Sequence, residues 1–334
     1  MLTGNITLAH GNGGRYMREL ISEVFAHHFA NPELDIDADA ATIKLPKGKI
    51  LFTTDGFIVQ PLEFPGGNIG TLAVHGTCND LAVSGADPLY LTLNAFIEEG
   101  FSFEQLDRLV ESIAITAKEC GVKIVAGDTK VLPRGEGSGV YFATAGIGVC
   151  QSEISIKMSN IKLGDHILVS GPVGDHGVAV MLAREAFGMR GDLRSDAANV
   201  LPLTKAVRQH PGLHFMRDPT RGGVVTVCHE IALATGFQIN LHQPSIPVRE
   251  PVEAVCEILG YDPLYLACEG RVVAVVDSSV ADEILTLWKN LPEGKMAADI
   301  GTINEGISRV QMKTELGGTR ILEELEDDPL PRIC

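Results

Sequence analysis

The chain has 334 residues, 45% of them hydrophobic, enough to bury the cores of about two domains. Lys and Arg total 27 against 43 Asp and Glu, a net charge of −16 that repels nucleic acid and anionic membranes, so neither is expected as a partner. Charged residues make up only 21% of the chain, among frequent aliphatic runs, which excludes disorder over most of its length.

The first 30 residues read as a glycine turn, His10–Gly11–Asn12–Gly13–Gly14, followed by an amphipathic helix with apolar positions at Met17, Leu20, Ile21, Val24 and Phe25. They lack the basic-then-apolar layout of a signal peptide. No apolar run reaches the roughly 18–20 residues of a spanning helix, so a cytoplasmic protein is expected. Residues 49–59 read as a strand carrying Thr53, Thr54 and Asp55, 68–84 as a helix and 87–96 as a strand. A helix over 102–120 opens with the capping-box pair Ser102 and Gln105. A short apolar strand, 122–126, leads into Gly127, Asp128, Thr129 and Lys130, and 140–150 is a further strand.

A domain boundary falls near 150–160. Beyond it, 166–170 reads as a strand, Gly171–Gly177 as a glycine turn and 178–186 as a helix. The string Arg217–Asp218–Pro219–Thr220–Arg221–Gly222–Gly223 opens a helix over 224–235. Strands and helices alternate without long parallel-type repeats, which favours mixed sheets of α+β type. Residues 313–334 turn acidic, and two prolines within the last six residues prevent a terminal helix. They read as a flexible tail ending in Pro331–Arg332–Ile333–Cys334.

Asp55, Asp80 and Asp128 each lie near a short apolar segment beside small or polar residues, and Asp218 is a fourth of the kind. Grouped carboxylates hold Mg²⁺, though aspartate at strand ends is also ordinary turn chemistry, and the sequence does not bring the four together. Three glycine-rich turns precede helices, at Gly11–Gly14, Gly171–Gly177 and Gly222–Gly223, where free amides bind phosphate well. No Walker A string and no G-x-G-x-x-G within a βαβ unit is present. Lys130 follows Asp128 by two, so on an extended segment both side chains leave one face, where a cation can meet phosphate or a developing oxyanion. Glu269 follows an apolar run; partly buried, its carboxylate would serve as a proton acceptor. The seven cysteines form no C-x-x-C pair, so neither a zinc site nor a disulfide framework is expected. Six of them (Cys78, Cys120, Cys150, Cys228, Cys256 and Cys268) read as small buried hydrophobes. Cys334 is the last residue and is not a prenylation site, because the fourth position from the end is Pro331.

Several of these strings resemble one family, the HypE carbamoyl dehydratases of nickel–iron hydrogenase maturation. It belongs to a wider PurM-like group with selenophosphate synthetase and thiamine-monophosphate kinase. The matching segments are His10–Gly14, Thr53–Asp55 with Phe64–Gly67, Cys78–Ala86, Gly127–Lys130, Asp218–Gly223, Cys268–Gly270 and the terminal tetrapeptide. Asn12 stands where that family often has Ser. The resemblance implies an α/β plus α+β, PurM-like two-domain fold: an N-terminal ATP-binding domain over 1–150, a C-terminal α+β domain over 151–312 and a tail over 313–334. It implies a homodimer whose N-terminal domains pair into a β-barrel, with ATP in the cleft where the domains and the dimer partner meet. It places Asp55, Asp80, Asp128 and Asp218 on Mg²⁺, and Gly11, Gly13, Gly14, Thr53, Thr54, Asn79, Thr129, Thr220, Arg221, Gly222 and Gly223 around ATP. Cys334 would carry a carbamoyl group, Lys130 would neutralise the transferring phosphoryl, and Glu269 would take the amide proton. Its implied partners are the carbamoyltransferase HypF and the HypC–HypD scaffold. Two rivals stand beside it: another PurM-like ATP-dependent small-molecule kinase or synthetase, and a non-enzymatic acidic scaffold with a flexible tail.

Overall fold

A computed structural model describes residues 2–150, 155–184 and 191–326. The chain divides into two compact units, one comprising Met1–Glu63, Gly67–Leu81 and Ala86–Ser152, the other Phe64–Gly66, Ala82–Gly85 and Glu153–Cys334.

In the first unit a 3-10 turn, Leu8–Gly11, precedes α1 (Arg15–Leu20), which continues through wider π turns at Ile21–Ala26 into α2 (His27–Phe29). Then follow β1 (Lys49–Phe57), β2 (Glu63–Phe64), β3 (Gly67–Asn68), α3 (Ile69–Val83), β4 (Asp87–Glu98), α4 (Phe103–Cys120), β5 (Lys123–Leu132) and β6 (Val140–Cys150). The main sheet runs β1-β6-β4-β5. Only β4 and β5 are parallel, as the α4 crossover between them requires. The sequence of α4 dictates its seat: Phe103, Leu106, Leu109, Val110, Ile113, Ala117 and Cys120 form one buried stripe at helical spacing. Gly121, at φ +71°, ends the helix. Ser102 is its N-cap residue but makes no side-chain capping bond, so the expected box with Gln105 does not form; a capping box closes instead between Thr7 and His10. Along β4 the pleat buries Leu91, Leu93, Ala95 and Ile97 on one face, each worth about 1.5–3 kcal/mol for the larger side chains. The strand expected to end at 126 runs on through Gly127–Lys130 as β5, because pairing with β4 from Tyr90 to Glu98 carries it there.

The second unit holds β7 (His166–Val169), α5 (Asp175–Ala183), α6 (Leu201–Val207), β8 (Leu213–Arg217), α7 (Gly223–Thr235) and β9 (Gln238–His242). It continues with α8 (Glu250–Leu259), β10 (Val273–Val276), α9 (Ala281–Lys289), β11 (Ala298–Asn304), β12 (Arg309–Lys313) and β13 (Thr319–Leu322). Its seven-stranded sheet is ordered β13-β12-β9-β11-β7-β10-β8. Both faces are covered, so alternate residues of each strand enter different cores. Ile167, Val169, Val273 and Val275 pack with Val224, Val227 and Ile231 of α7. Leu168, Ala274 and Val276 pack with Leu203 and Val207 of α6 and Ile284 and Trp288 of α9. Helix α5 starts at Asp175, inside the expected glycine turn; the expected end of that helix, 186, lies outside the described residues. The segment after 312, expected as a tail, supplies β13, which pairs with β12 and buries Leu322. Residues 327–334, with Cys334, lie outside the described residues.

Candidate active site

In the first unit β1 and α3 each bring a carboxylate to the face between them, Asp55 from the strand and Asp80 from the helix. Thr53 Oγ1 donates to Asp80 Oδ2 at 2.9 Å. Asp55, two residues along the same strand face, lies over Gly76, where an added Cβ would stand 3.7 Å from Asp55 Oδ2 and 2.7 Å from the Phe57 ring. Residues 76 and 80 share one helix face, so the strand offers Thr53 and Asp55 to Asp80 and a glycine gap. Thr54 Oγ1 donates to the Thr144 carbonyl at 2.8 Å, while Thr144 Oγ1 and Thr77 Oγ1 bond each other; Asn79 is buried on α3.

Asp128 sits elsewhere. The register runs Asp55–Thr144, Thr144–Leu93, Leu93–Gly127, so three inter-strand spacings, about 14 Å along the sheet, separate the Asp55 and Asp128 strands. Asp128 Oδ2 pairs with Lys130 Nζ at 2.6 Å, as the extended backbone predicts, and the ammonium holds the carboxyl below the usual carboxylate range. Thr129 is buried between them. A cavity of about 170 Å³ opens beside Asp128 and Thr129, lined also by Phe25, Phe29, Asp35 and Asp39. Asp35 and Asp39 were not singled out in the sequence; the alternation of Asp35, Asp37 and Asp39 was the available signal. Gly11 packs against Val131 with no room for a side chain, Gly13 takes φ +79°, and Gly14 caps α1. His10 of the same turn is structural: its ring bonds Thr7 and packs on Tyr16 and Phe103.

In the second unit the sheet gathers three of the singled-out segments at one end. Strands β8 and β10 are antiparallel with Arg217 opposite Val273, so Asp218 leaves β8 where Glu269 and Gly270 lead into β10. The Cys268 N–H donates to the Pro219 carbonyl at 3.0 Å, fastening the two segments. Val169 is also opposite Val273, which brings the Ser170–Gly174 turn to the same end. Gly174 N–H donates to Cys268 Sγ at 3.3 Å, and burial holds that thiol well above the usual range. Asp218 and Glu269 are buried, Glu269 at 4% exposure. Gly223, at φ +61°, starts α7 so close to the Leu264 and Leu266 carbonyls that an added Cβ would stand 2.5 and 2.6 Å from them. Thr220 is half-buried and Arg221 exposed on the preceding turn, and Gly222 has φ +71°. The last described residues run to this neighbourhood. Tyr265 Oη donates to the Glu323 carbonyl at 2.8 Å, Arg320 pairs with Asp262, and Leu325 Cδ1 lies 3.5 Å from where a Gly222 Cβ would be.

The six described cysteines are free and buried, as expected. Burial pushes Cys228 up to about 12, whereas hydrogen bonds from Cys78 and His75 draw Cys120 down to about 6. Among the described residues no helix is long and apolar enough to cross a membrane.

Two α-and-β units, one with a carboxylate on a strand and another on the helix it faces, the other with a glycine-started helix beside a buried acid, define a known class. Residues 37–150 match the N-terminal domain, and 162–313 the C-terminal domain, of the AIR synthase related proteins. The chain is 44% identical over 333 residues to the carbamoyl dehydratase HypE of Azotobacter vinelandii, covering 99% of this chain and 98% of that one. A crystal structure of HypE in complex with ATP matches with a TM-score of 0.93 at 40% identity, over 98% of this chain and 99% of that one. A HypE–HypF complex structure matches with a TM-score of 0.80 at 44% identity, over 92% and 99%. The chain belongs to the HypE carbamoyl dehydratase family.

Proposed function

We propose that the chain uses ATP to dehydrate a carbamoyl group borne on the Cys334 thiol, leaving an S-cyano cysteine that supplies the cyanide ligand of a nickel–iron hydrogenase. The observation that carries this reading is the buried Glu269, fastened through Cys268 and Pro219 to the Asp218–Gly223 turn. The full-length likeness to carbamoyl dehydratases supports it and disfavours a kinase or synthetase of soluble small molecules.

The chemistry needs a better leaving group than oxide. Transfer of the γ-phosphoryl of ATP to the carboxamide oxygen forms the O–P bond and releases ADP. The C–O bond then breaks, phosphate departs, and loss of the N–H protons leaves the C≡N triple bond. Glu269 takes an amide proton, the work of a buried general base. Lys130, paired with Asp128, would supply the cation that neutralises charge on the transferring phosphoryl. Asp55, Asp80, Asp128 and Asp218 each offer hard oxygen donors of the kind that hold Mg²⁺, which when bound would neutralise triphosphate charge; Asp128 stands three strands from Asp55, so the four would not share one ion. The nucleotide is held by Gly11, Gly13, Gly14, Thr53, Thr54, Asn79, Thr129, Thr220, Arg221, Gly222 and Gly223. Cys334 stands eight positions beyond Glu326, a reach of at most about 28 Å, and Leu325 starts that tether beside Gly222. We assign HypF as carbamoyl donor, the HypC–HypD scaffold as acceptor, a homodimer as the working form and the cytoplasm as its place.

The test is mass spectrometry of the C-terminal peptide after incubation with the carbamoyl donor and then Mg–ATP. The peptide gains one carbamoyl group, then loses one water only when ATP is present. Carbamoylation of another residue, or a water loss without ATP, overturns the reading.

A further inference from the structure

Glu269 can act as a base only if its backbone is held still, and one carboxylate holds it from two sides. Asp196, whose side chain is fully buried, accepts the Glu269 N–H through Oδ1 at 3.1 Å. Its other oxygen lies 3.3 Å from Arg271 Nε, two residues further along. The residue between them has no freedom: a Cβ on Gly270 would stand 1.9 Å from the Asp196 carbonyl oxygen and 2.9 Å from Ala198 N. Arg271 is pinned in turn, donating from Nε to the Pro172 carbonyl at 2.9 Å and reaching Asp175 Oδ2 with Nη2 at 3.5 Å. Asp175 is the first residue of α5 and also pairs with Arg249 at 2.9 Å. The Asp196 segment is itself anchored, since Ser195 N–H donates to the Pro65 carbonyl at 2.8 Å and Ser195 Oγ bonds His176 Nδ1 at 2.8 Å.

We propose that Asp196 is the positioning residue for Glu269, clipping Glu269–Gly270–Arg271 at both ends, with Arg271 and Asp175 bracing the clip. This rests on the reading of Glu269 as the base. Such a clip fixes where the Glu269 carboxylate stands without touching substrate. A displacement of about 1 Å at a reacting group costs on the order of 100-fold in rate.

The experiment is single-turnover dehydration of the carbamoylated full-length protein, with ATP affinity measured by calorimetry on the same samples. Asp196→Ala is expected to slow dehydration about 100-fold, with ATP affinity changed less than about twofold. Asp196→Asn keeps an acceptor for the Glu269 N–H while losing the charge on Arg271, so it recovers a substantial part of the rate. In a Glu269→Gln background, Asp196→Ala adds no further loss. An undiminished rate for Asp196→Ala overturns the proposal, as does an equal further loss in the Glu269→Gln background, which leaves Glu269 as base intact. An undiminished rate for Glu269→Gln removes the base itself. Should Asp196→Ala fail to fold, Asp196→Asn and Arg271→Lys decide: full rate and unchanged ATP affinity in both overturns the clip, and a loss in rate alone supports it.

Discussion

At Asp175, burial and the neighbouring Asp196 carboxylate push the pKa up to about 6, against the pull of Arg249 and Arg271. One of its oxygens, Oδ1, is buried without a hydrogen-bond partner. The folded protein therefore binds this proton more tightly than the unfolded chain, whose aspartate titrates near the ordinary 3.8. The stabilisation from that proton is complete below about pH 4 and is lost as pH rises through about 6. Asp175→Asn mimics the neutral form at every pH. It should melt above wild type at pH 7.5, with the difference shrinking as pH falls through about 6 and vanishing below about pH 4, as thermal melts across that range will show. A difference independent of pH would mean that the carboxyl is not the titrating group. Asp80 carries the opposite expectation, since its ionised form is the useful one. Asp80→Asn keeps an oxygen for Thr53 but removes the charge proposed to face Mg–ATP. Nucleotide affinity should fall at least about tenfold by calorimetry, roughly 1.4 kcal/mol; unchanged affinity excludes Asp80 as a ligand.

Helix α3 can deliver Asp80 to Thr53 only because it lies close on α4. A Cβ on Gly70 would stand 2.7 Å from both the Leu109 carbonyl and Ser112 Oγ. Gly70→Ala gains up to about 1 kcal/mol of helix propensity, but the clash with backbone costs about 1–3 kcal/mol, so the clash wins. The thermal transition of this unit should fall, and ATP affinity with it as α3 shifts; a variant that melts higher would mean that the helices part freely. The element scale also explains what was legible in the sequence. Helix α4 was readable because its burial stripe is local and strongly periodic. The course of β5 through Gly127–Lys130 was not, because those residues have turn chemistry and are held extended by a partner strand about thirty positions earlier. Strand β13 was hidden in the same way, an acidic surrounding masking four residues whose pairing comes from a hairpin. At the site, the singled-out strings were local, but the Asp196 clip joins positions 73 apart, and neither Asp196 nor Arg271 stands in a string that suggests chemistry.

At the scale of the whole molecule, the first unit's sheet leaves one face open. Phe52 of β1 is opposite Ile147 of β6, which is opposite Tyr90 of β4, and residues directly opposite share a face. Phe52 is 68% exposed and Ile50 53%, while Ile147 and Tyr90 are half-buried. An apolar row across three strands is costly in water and is suited to a second copy of itself, since a two-fold axis presents the same patch from both sides. This is the face the proposed homodimer would cover. Phe52→Asp removes about 1.5–3 kcal/mol of burial from each protomer and places two carboxylates in the interface, so dissociation should strengthen by at least about 100-fold. Sedimentation at micromolar concentration is expected to show a dimer for wild type and a monomer for Phe52→Asp. The melt should fall only by what dimerisation contributes, so the wild-type transition rises with protein concentration and that of the variant does not. A wild-type monomer, or a variant that stays dimeric, would mean that this face serves something other than self-association.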